Sequence, residues 1–307
     1  MSARRTKPPR LRPGDTVGVV APAAAVEREH LERGVNALSQ LGFRVKVSER
    51  VLGRAGILAG EDRERAAELQ SYFADPEVSA IIAARGGYGT GRVLPLLDFA
   101  AIARTPKPFV GFSDLTFLLM ALVERANLVA FHGPTVAVDL SRGLTARARQ
   151  HLIGLLGGEM ENVEFEAKEV VHPGSAEGEV IGGCLSVLAA MLATPYAPDF
   201  LGKILFLEDT GEKAYRVDRM LVHLKQAGVL ASVAGIAFGA IRPVDGNEQE
   251  ARLIAEFIAE QTAGLGVPVL YGIEAGHGTE NLALPLGIRA RIDTNSGRLT
   301  YLESAVS

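Results

Sequence analysis

The chain has one cysteine, no tryptophan and no large surplus of either charge, and each shortage closes off a class of function. Cys184 alone cannot close an internal disulfide, which excludes a disulfide-stapled secreted domain and is compatible with a reducing compartment. Six tyrosines and no tryptophan leave little aromatic surface for stacking bases or sugars. A net charge of −4 gives no reason to expect nucleic acid as a partner. No apolar stretch reaches the ~20 residues needed to cross a bilayer, so no membrane partner is expected. There is no His-x-x-x-His pair and no second cysteine, so neither a metal site nor another cofactor is expected.

What is present is a chain of 307 residues, 48% apolar and 22% charged, in the range of soluble globular proteins and long enough for two domains. Basic Met1–Arg12 followed by apolar Val17–Val26 imitates a secretory signal. Pro13-Gly14-Asp15 places a turn and an acid directly before that run, however, and Pro22 interrupts it. Thr16–Ala21 therefore reads as a first buried strand.

From there strand and helix alternate. Helices are expected over Glu27–Leu41, Glu61–Phe73 and Leu115–Arg125, and strands over Phe43–Val47, Ala80–Ala84, Phe109–Gly111 and Leu128–Phe131. Short apolar runs between amphipathic helices imply a doubly wound parallel sheet covered on both faces. Thr145–Leu156 offers one more helix, and the polar stretch Glu159–Glu179 reads as a connection. A second set of elements follows: helices near Leu185–Ala193, Ala214–Ala227 and Glu248–Gln261, and strands at Ile204–Leu207, Gly235–Phe238, Val269–Tyr271, Leu284–Pro285 and Ala290–Asp293. The expected organisation is an N-terminal α/β domain over 1–145, a linker over 146–178 and a C-terminal domain over 179–307.

Three distant segments carry side chains that acyl transfer needs: Gly111-Phe112-Ser113-Asp114, Leu205-Phe206-Leu207-Glu208-Asp209 and Gly276-His277-Gly278. A serine hydroxyl is a poor nucleophile until a base takes its proton, and a carboxylate must hold that base in one tautomer. The chain order Ser, Glu, His is that of the α/β-hydrolases, but their Gly-x-Ser-x-Gly is missing, so a different fold is expected. Ser113 falls at a strand-to-helix turn, where its hydroxyl projects from the carboxyl end of the sheet and the Asp114 N–H is placed to donate to an oxyanion. The competing reading is that Ser113 or Asp114 merely caps the helix. Arg85-Gly86-Gly87-Tyr88-Gly89 follows a strand; Gly86 and Gly87 permit close backbone approach and a second oxyanion donor, and Arg85 is a candidate to pair with a substrate carboxylate. The same loop also reads as a tight turn or a phosphate cradle, although it matches no phosphate-loop pattern in register.

Glu208 ends a buried run, where a carboxylate is costly unless paired or functional, but Asp209 and Glu212 are rivals that periodicity does not separate. His277 between two glycines suits a loop that fixes a ring, or an ordinary surface loop. His132 ends a strand near the same sheet edge, whereas His30, His151, His172 and His223 read as solvated. Cys184, on an apolar small-residue stretch, reads as a packed thiol.

Together these segments resemble the LD-carboxypeptidase family of serine peptidases. The match spans nearly the whole chain, through Val20-Ala21-Pro22, Asp75-Pro76, Arg85-Gly86-Gly87-Tyr88-Gly89, Leu96-Leu97-Asp98, Gly111-Phe112-Ser113-Asp114, Phe131-His132-Gly133-Pro134, Gly182-Gly183, Thr194-Pro195, Leu207-Glu208-Asp209 and Gly276-His277-Gly278. The resemblance implies Ser113 as nucleophile, Glu208 as orienting carboxylate and His277 as base. It places the oxyanion donors on the backbone of Asp114 and of the Gly86 region. It also implies a doubly wound N-terminal domain, a smaller β-rich α/β C-terminal domain and a homodimer. Cys184 departs from the pattern, since relatives often carry Asn after the paired glycines.

The function expected on that basis is a cytoplasmic, metal-independent serine carboxypeptidase. Its partner would be a small peptide, a murein tetrapeptide cut between an L-centre and a terminal D-amino acid. The alternative within the family is cleavage of peptidyl-nucleotide antibiotics, which the absence of tryptophan weakens. The alternative outside it is a non-catalytic small-ligand-binding protein.

Overall fold

The computed structural model describes residues 4–160 and 163–307. Two compact units result: Met1–Met160 with Leu282–Pro285 and Ala305–Ser307, and Glu161–Asn281 with Leu286–Ser304.

In the first unit, β1 (Thr16–Val20) is buried along its whole length, as a parallel strand covered on both faces must be. It feeds α1 (Arg28–Gln40), which turns Leu31, Gly34 and Leu38 inward at helical spacing. Then come β2 (Arg44–Val47), α2 (Asp62–Ala74) and β3 (Ala80–Ala83). Reciprocal capping by Glu61 and Glu64 starts α2. The short helices α3 (Thr90–Val93) and α4 (Phe99–Arg104) lead to β4 (Phe109–Gly111), α5 (Thr116–Arg125) and β5 (Ala130–His132). A π-helical turn over Val136–Leu140 and α6 (Ala146–Gly157) complete the set. The strand order β2-β1-β3-β4-β5 is parallel throughout, and it reverses direction between β1 and β3. Open sheets of this kind bind ligands outside the carboxyl ends of their strands, above all at such a reversal.

The second unit holds β6 (Glu164–Glu166), β7 (Glu169–His172), β8 (Ser175–Cys184), α7 (Leu185–Met191), β9 (Ile204–Glu212), α8 (Ala214–Gln226), α9 (Val229–Ser232), β10 (Gly235–Pro243), α10 (Glu248–Thr262) and β11 (Val269–Tyr271). After them β12 (Leu284–Leu286) joins the first sheet beside β5, and β13 (Arg289–Asp293) and β14 (Arg298–Tyr301) return to the second. That sheet runs β6-β14-β13-β8-β9-β10-β11-β7, parallel from β8 to β11 and antiparallel at both flanks. The architecture is the expected two-domain α/β one.

Three features differ from the sequence expectation. Within the expected linker 146–178, α6 falls where a helix is expected, but the polar stretch after it holds β6, β7 and the start of β8 rather than a plain connection. His151 is buried rather than solvated: its Nε2 lies 2.7 Å from the Ala283 carbonyl, tying α6 to the returning segment. The strand expected at Ile204–Leu207 continues to Glu212, and β10 likewise runs on to Pro243. Among the described residues no helix is long and apolar enough to cross a membrane.

Gly34 shows how tightly the first unit is packed. A Cβ there would come within 2.0 Å of the Val136 carbonyl oxygen in the π-helical turn. Gly34→Ala should therefore lower stability by about 2–3 kcal/mol, because backbone on both sides must shift. Gly157→Ala, where the nearest atom would be an ordinary 3.6 Å away, should be neutral or mildly stabilising. Urea unfolding of both variants checks this; equal effects would sink the packing argument.

Candidate functional site

The two units each hold part of the predicted constellation. In the first, β4 ends at Gly111 and the chain enters a tight turn over Ser113–Leu115 before α5. Ser113 is non-glycine yet has φ of 67°, in the sparsely populated left-handed region. Such strain persists only where neighbours over-determine the backbone. Gly86 is one of them: a Cβ on it would lie 2.9 Å from Ser113 Cβ, 3.0 Å from the Phe112 oxygen and 3.3 Å from the Asp114 nitrogen. The absent side chain lets the β3 loop lie directly against the serine turn.

Asp114 supplies a second constraint, beyond the simple cap that its place in the sequence suggests. Its buried carboxylate accepts the Thr90 N–H at 2.8 Å, joining the serine turn to the first residue of α3. Arg65, 2% exposed, fixes the same loop from below by donating to the carbonyls of Pro22 and Gly89 and pairing with Asp62. No sequence signal marks Arg65, because a charged residue on an amphipathic helix reads as solvated. Behind the turn, fully buried His132 packs edge-on against Phe112, ring centroids 5.9 Å apart. Arg85 sends Nη1 toward the Ala25 carbonyl at 3.4 Å and lines a cavity with residues of α1 and of the π-helical turn.

In the second unit the geometry separates the three rival carboxylates. Glu208 is completely buried, and its Oε2 lies 2.6 Å from His277 Nδ1 and accepts the His277 backbone N–H at 3.0 Å. Asp209 turns the other way, accepting the N–H of Ser186 at the start of α7 and that of Thr210, each at 2.7 Å. Glu212 faces Arg216 near the surface. Successive strand residues point to opposite faces, and since β9 is buried on both, both acids are enclosed.

The backbone around Glu208 is shaped by missing side chains. The β9–β10 register slips between Phe238 and Ile241, a bulge that lies beside Glu208. A Cβ on Gly239 would stand 2.6 Å from the Ala275 oxygen, and one on Gly276, at φ +85°, 2.5 Å from the Glu208 carboxylate. Buried Asn281 accepts the Gly276 N–H at 3.0 Å through Oδ1, holding the loop that presents His277. Cys184, paired in register with Glu208, is buried, and burial pushes its thiol well above the ordinary range. Among the described residues no group of three or more His, Cys, Asp or Glu side chains is arranged to hold a metal ion.

The arrangement provides a backbone-strained serine beside a glycine loop, and an imidazole whose Nδ1 is engaged by a buried carboxylate. A carboxylate on Nδ1 leaves Nε2 of the same ring as the nitrogen able to handle a proton.

The sequence pattern described as the LD-carboxypeptidase N-terminal domain matches residues 17–133, and that of the LD-carboxypeptidase C-terminal domain matches 177–292. The chain is 38% identical to a probable murein peptide carboxypeptidase of Bacillus subtilis, over 98% of this chain and 95% of that one. It is 28% identical to the microcin C7 self-immunity protein MccF of Escherichia coli, over 96% and 95%. Among solved structures, the muramoyltetrapeptide carboxypeptidase of Oxalobacter formigenes superposes with a TM-score of 0.83 at 32% identity, covering 93% of this chain and 97% of that one.

Asp209 generates a pH prediction. Burial first, and then the neighbouring Glu208 charge, push its carboxyl from 3.8 up to about 6. Between those values the native state holds a proton that the unfolded chain has released. Stability from this group therefore falls as pH rises from about 4 to about 6 and stays lost above that, by ~3 kcal/mol. The difference in unfolding free energy between wild type and Asp209→Asn, followed from pH 4 to 7, should show this fall. A difference that is flat with pH would remove Asp209 as its source.

Proposed function

Because the chain belongs to the LD-carboxypeptidase family, we propose that it is a serine carboxypeptidase that removes the terminal D-amino acid from a murein tetrapeptide. The observation that carries this reading is the 2.6 Å contact between Glu208 and His277 Nδ1. It supports a reading of the pair as the base and orienter of a triad, in the chain order expected after Ser113.

In this reading Nε2 of His277 takes the Ser113 proton as the hydroxyl attacks the scissile carbonyl. Glu208 holds the ring in one tautomer and stabilises the imidazolium. The backbone N–H groups of Asp114 and of the Gly86–Gly87 segment receive the oxyanion. Collapse of the intermediate passes the proton to the leaving D-amino acid, and water then hydrolyses the acyl-enzyme with His277 again as base. The family reading also assigns a homodimer in the cytoplasm, where recycled tetrapeptide is met and a lone buried thiol stays reduced. Cleavage of peptidyl-nucleotides is held second. Whole-length similarity to the immunity protein favours it, and the lack of any tryptophan to stack a purine weighs against it.

Incubation with L,D-tetrapeptides and with peptidyl-adenylates, and identification of the fragments by mass, decides between the two; release of neither would leave a binding protein. Ser113→Ala should abolish turnover while changing stability by no more than about 1 kcal/mol. Glu208→Gln keeps the shape and removes the charge. It should cost on the order of 10²–10⁴ in kcat, by analogy with the loss of about 10⁴ that the equivalent carboxylate-to-amide change causes in chymotrypsin-type proteases. Asp209→Asn, on the opposite face, should cost far less. Substantial turnover by the Ser113 variant, or an Asp209 effect exceeding that of Glu208, would overturn the assignment. EDTA should leave the rate unchanged; loss restored by a divalent metal would replace the serine mechanism with a metal-dependent one.

A further inference from the structure

Apart from the serine turn, the first unit contains a cavity of about 230 Å³ lined by Glu27, His30, Arg33, Arg85, Ser141 and Arg142 among others. We infer that it is a second ligand site, one that binds a phosphate-class dianion, either inorganic phosphate or a small phosphate monoester.

Placement is the first argument. Glu27 and His30 lie at the start of α1, the helix that follows β1 after a loop, and Arg85 lies just after β3. The strand order is β2-β1-β3-β4-β5, so the cavity opens at the carboxyl ends of β1 and β3, where the winding reverses. In doubly wound sheets of that order the reversal is where phosphorylated ligands sit. The first turn of α1, whose N-cap makes no side-chain hydrogen bond, adds backbone N–H groups and the positive end of a 13-residue helix.

Charge is the second. Three arginines and one glutamate contribute to the lining, an excess of two formal positive charges before His30 is counted. The flanking charges cancel: Glu27 is 2.7 Å from Arg54, and Arg33 is 2.5 Å from Glu29. An excess of two matches a dianion better than a monocarboxylate, and guanidinium forks suit phosphate oxygens.

The state of Arg85 is the third. Its Nε is buried with no hydrogen-bond partner, and its Nη1 makes only the long 3.4 Å contact to Ala25. A buried guanidinium N–H without a partner is costly, and a bound oxyanion supplies one. The cavity is smaller than the ~300–1,000 Å³ typical for drug-sized ligands, which restricts it to an ion or a short ester. Arg85 directly precedes Gly86, so a ligand there would also brace the loop that lies against Ser113.

The test uses the whole protein and reads binding rather than turnover. Inorganic phosphate is titrated calorimetrically at constant ionic strength in chloride, with acetate as a parallel arm. Wild type and Ser113→Ala should bind phosphate alike and saturably, and acetate at least about tenfold more weakly. Arg33→Gln/Arg142→Gln, at exposed positions outside the proposed catalytic machinery, should lose at least about tenfold in phosphate affinity without a change in Tm. If the double variant does lose Tm, Arg142→Gln alone should still weaken binding severalfold. Absence of saturable phosphate binding, equal affinity in the variants, or acetate binding as tightly as phosphate would each overturn the inference. None of these outcomes bears on peptide cleavage, which is read in the separate assay with Ser113→Ala.

Discussion

A carboxylate with no exposure to water dictates the local structure of the second unit. Left alone in the middle of β9, the Glu208 charge would cost several kcal/mol of desolvation. One of its oxygens meets both the ring Nδ1 and the backbone N–H of His277, so the loop over 274–281 must pass directly above it. That passage is possible only because Gly239 and Gly276 carry no Cβ, and because Asn281 ties the Gly276 amide. The bulge in β10, the positive φ of Gly276 and the buried amide of Asn281 are thus one solution to one electrostatic problem. Asp209, next along the strand, solves its own problem differently, through the amides of Ser186 and Thr210, and retains a raised carboxyl.

The first unit solves a steric problem instead. Holding Ser113 at a positive φ needs contacts that leave no relaxed alternative. Gly86 presses from one side, Asp114 anchors the turn to α3, and Arg65 ties Gly89 of the glycine loop to Pro22 in the segment after β1. The energy stored in one dihedral is offset by the half-buried Arg65–Asp62 ion pair and by hydrogen bonds to the main chain of Pro22, Gly89 and Thr90.

Which parts of this are legible in the sequence follows from the physics of each. The parallel strands of the first sheet are plain because burial on both faces forces short apolar runs such as Val17–Val20. β6 and β7 are not: Glu164, Glu166 and Glu169 project from flanking strands that water reaches, with only Phe165 of the two strands buried, so their sequence reads as a polar connection. β8 begins in the same polar register before Val180. The serine and histidine segments stand out by their glycines. The choice among Glu208, Asp209 and Glu212 does not, because alternation cannot rank two acids on a strand enclosed on both faces. The burial of Arg65 and of His151 depends on contacts across 24 and 132 positions of chain, which no local pattern encodes.

The route of the chain has a consequence for its history and its handling. After completing most of the second unit it returns to lay β12 beside β5, and its last residues return again, with the Ser307 amide bonded to the Pro8 carbonyl. The two halves are therefore stitched rather than strung. A fragment ending near residue 160 would leave β5 as a raw sheet edge, its hydrogen-bonding groups open to any other strand. Neither unit could have been shuffled as a cassette by a single cut and splice, and a ribosome must pass Leu286 before β12 can pair with β5.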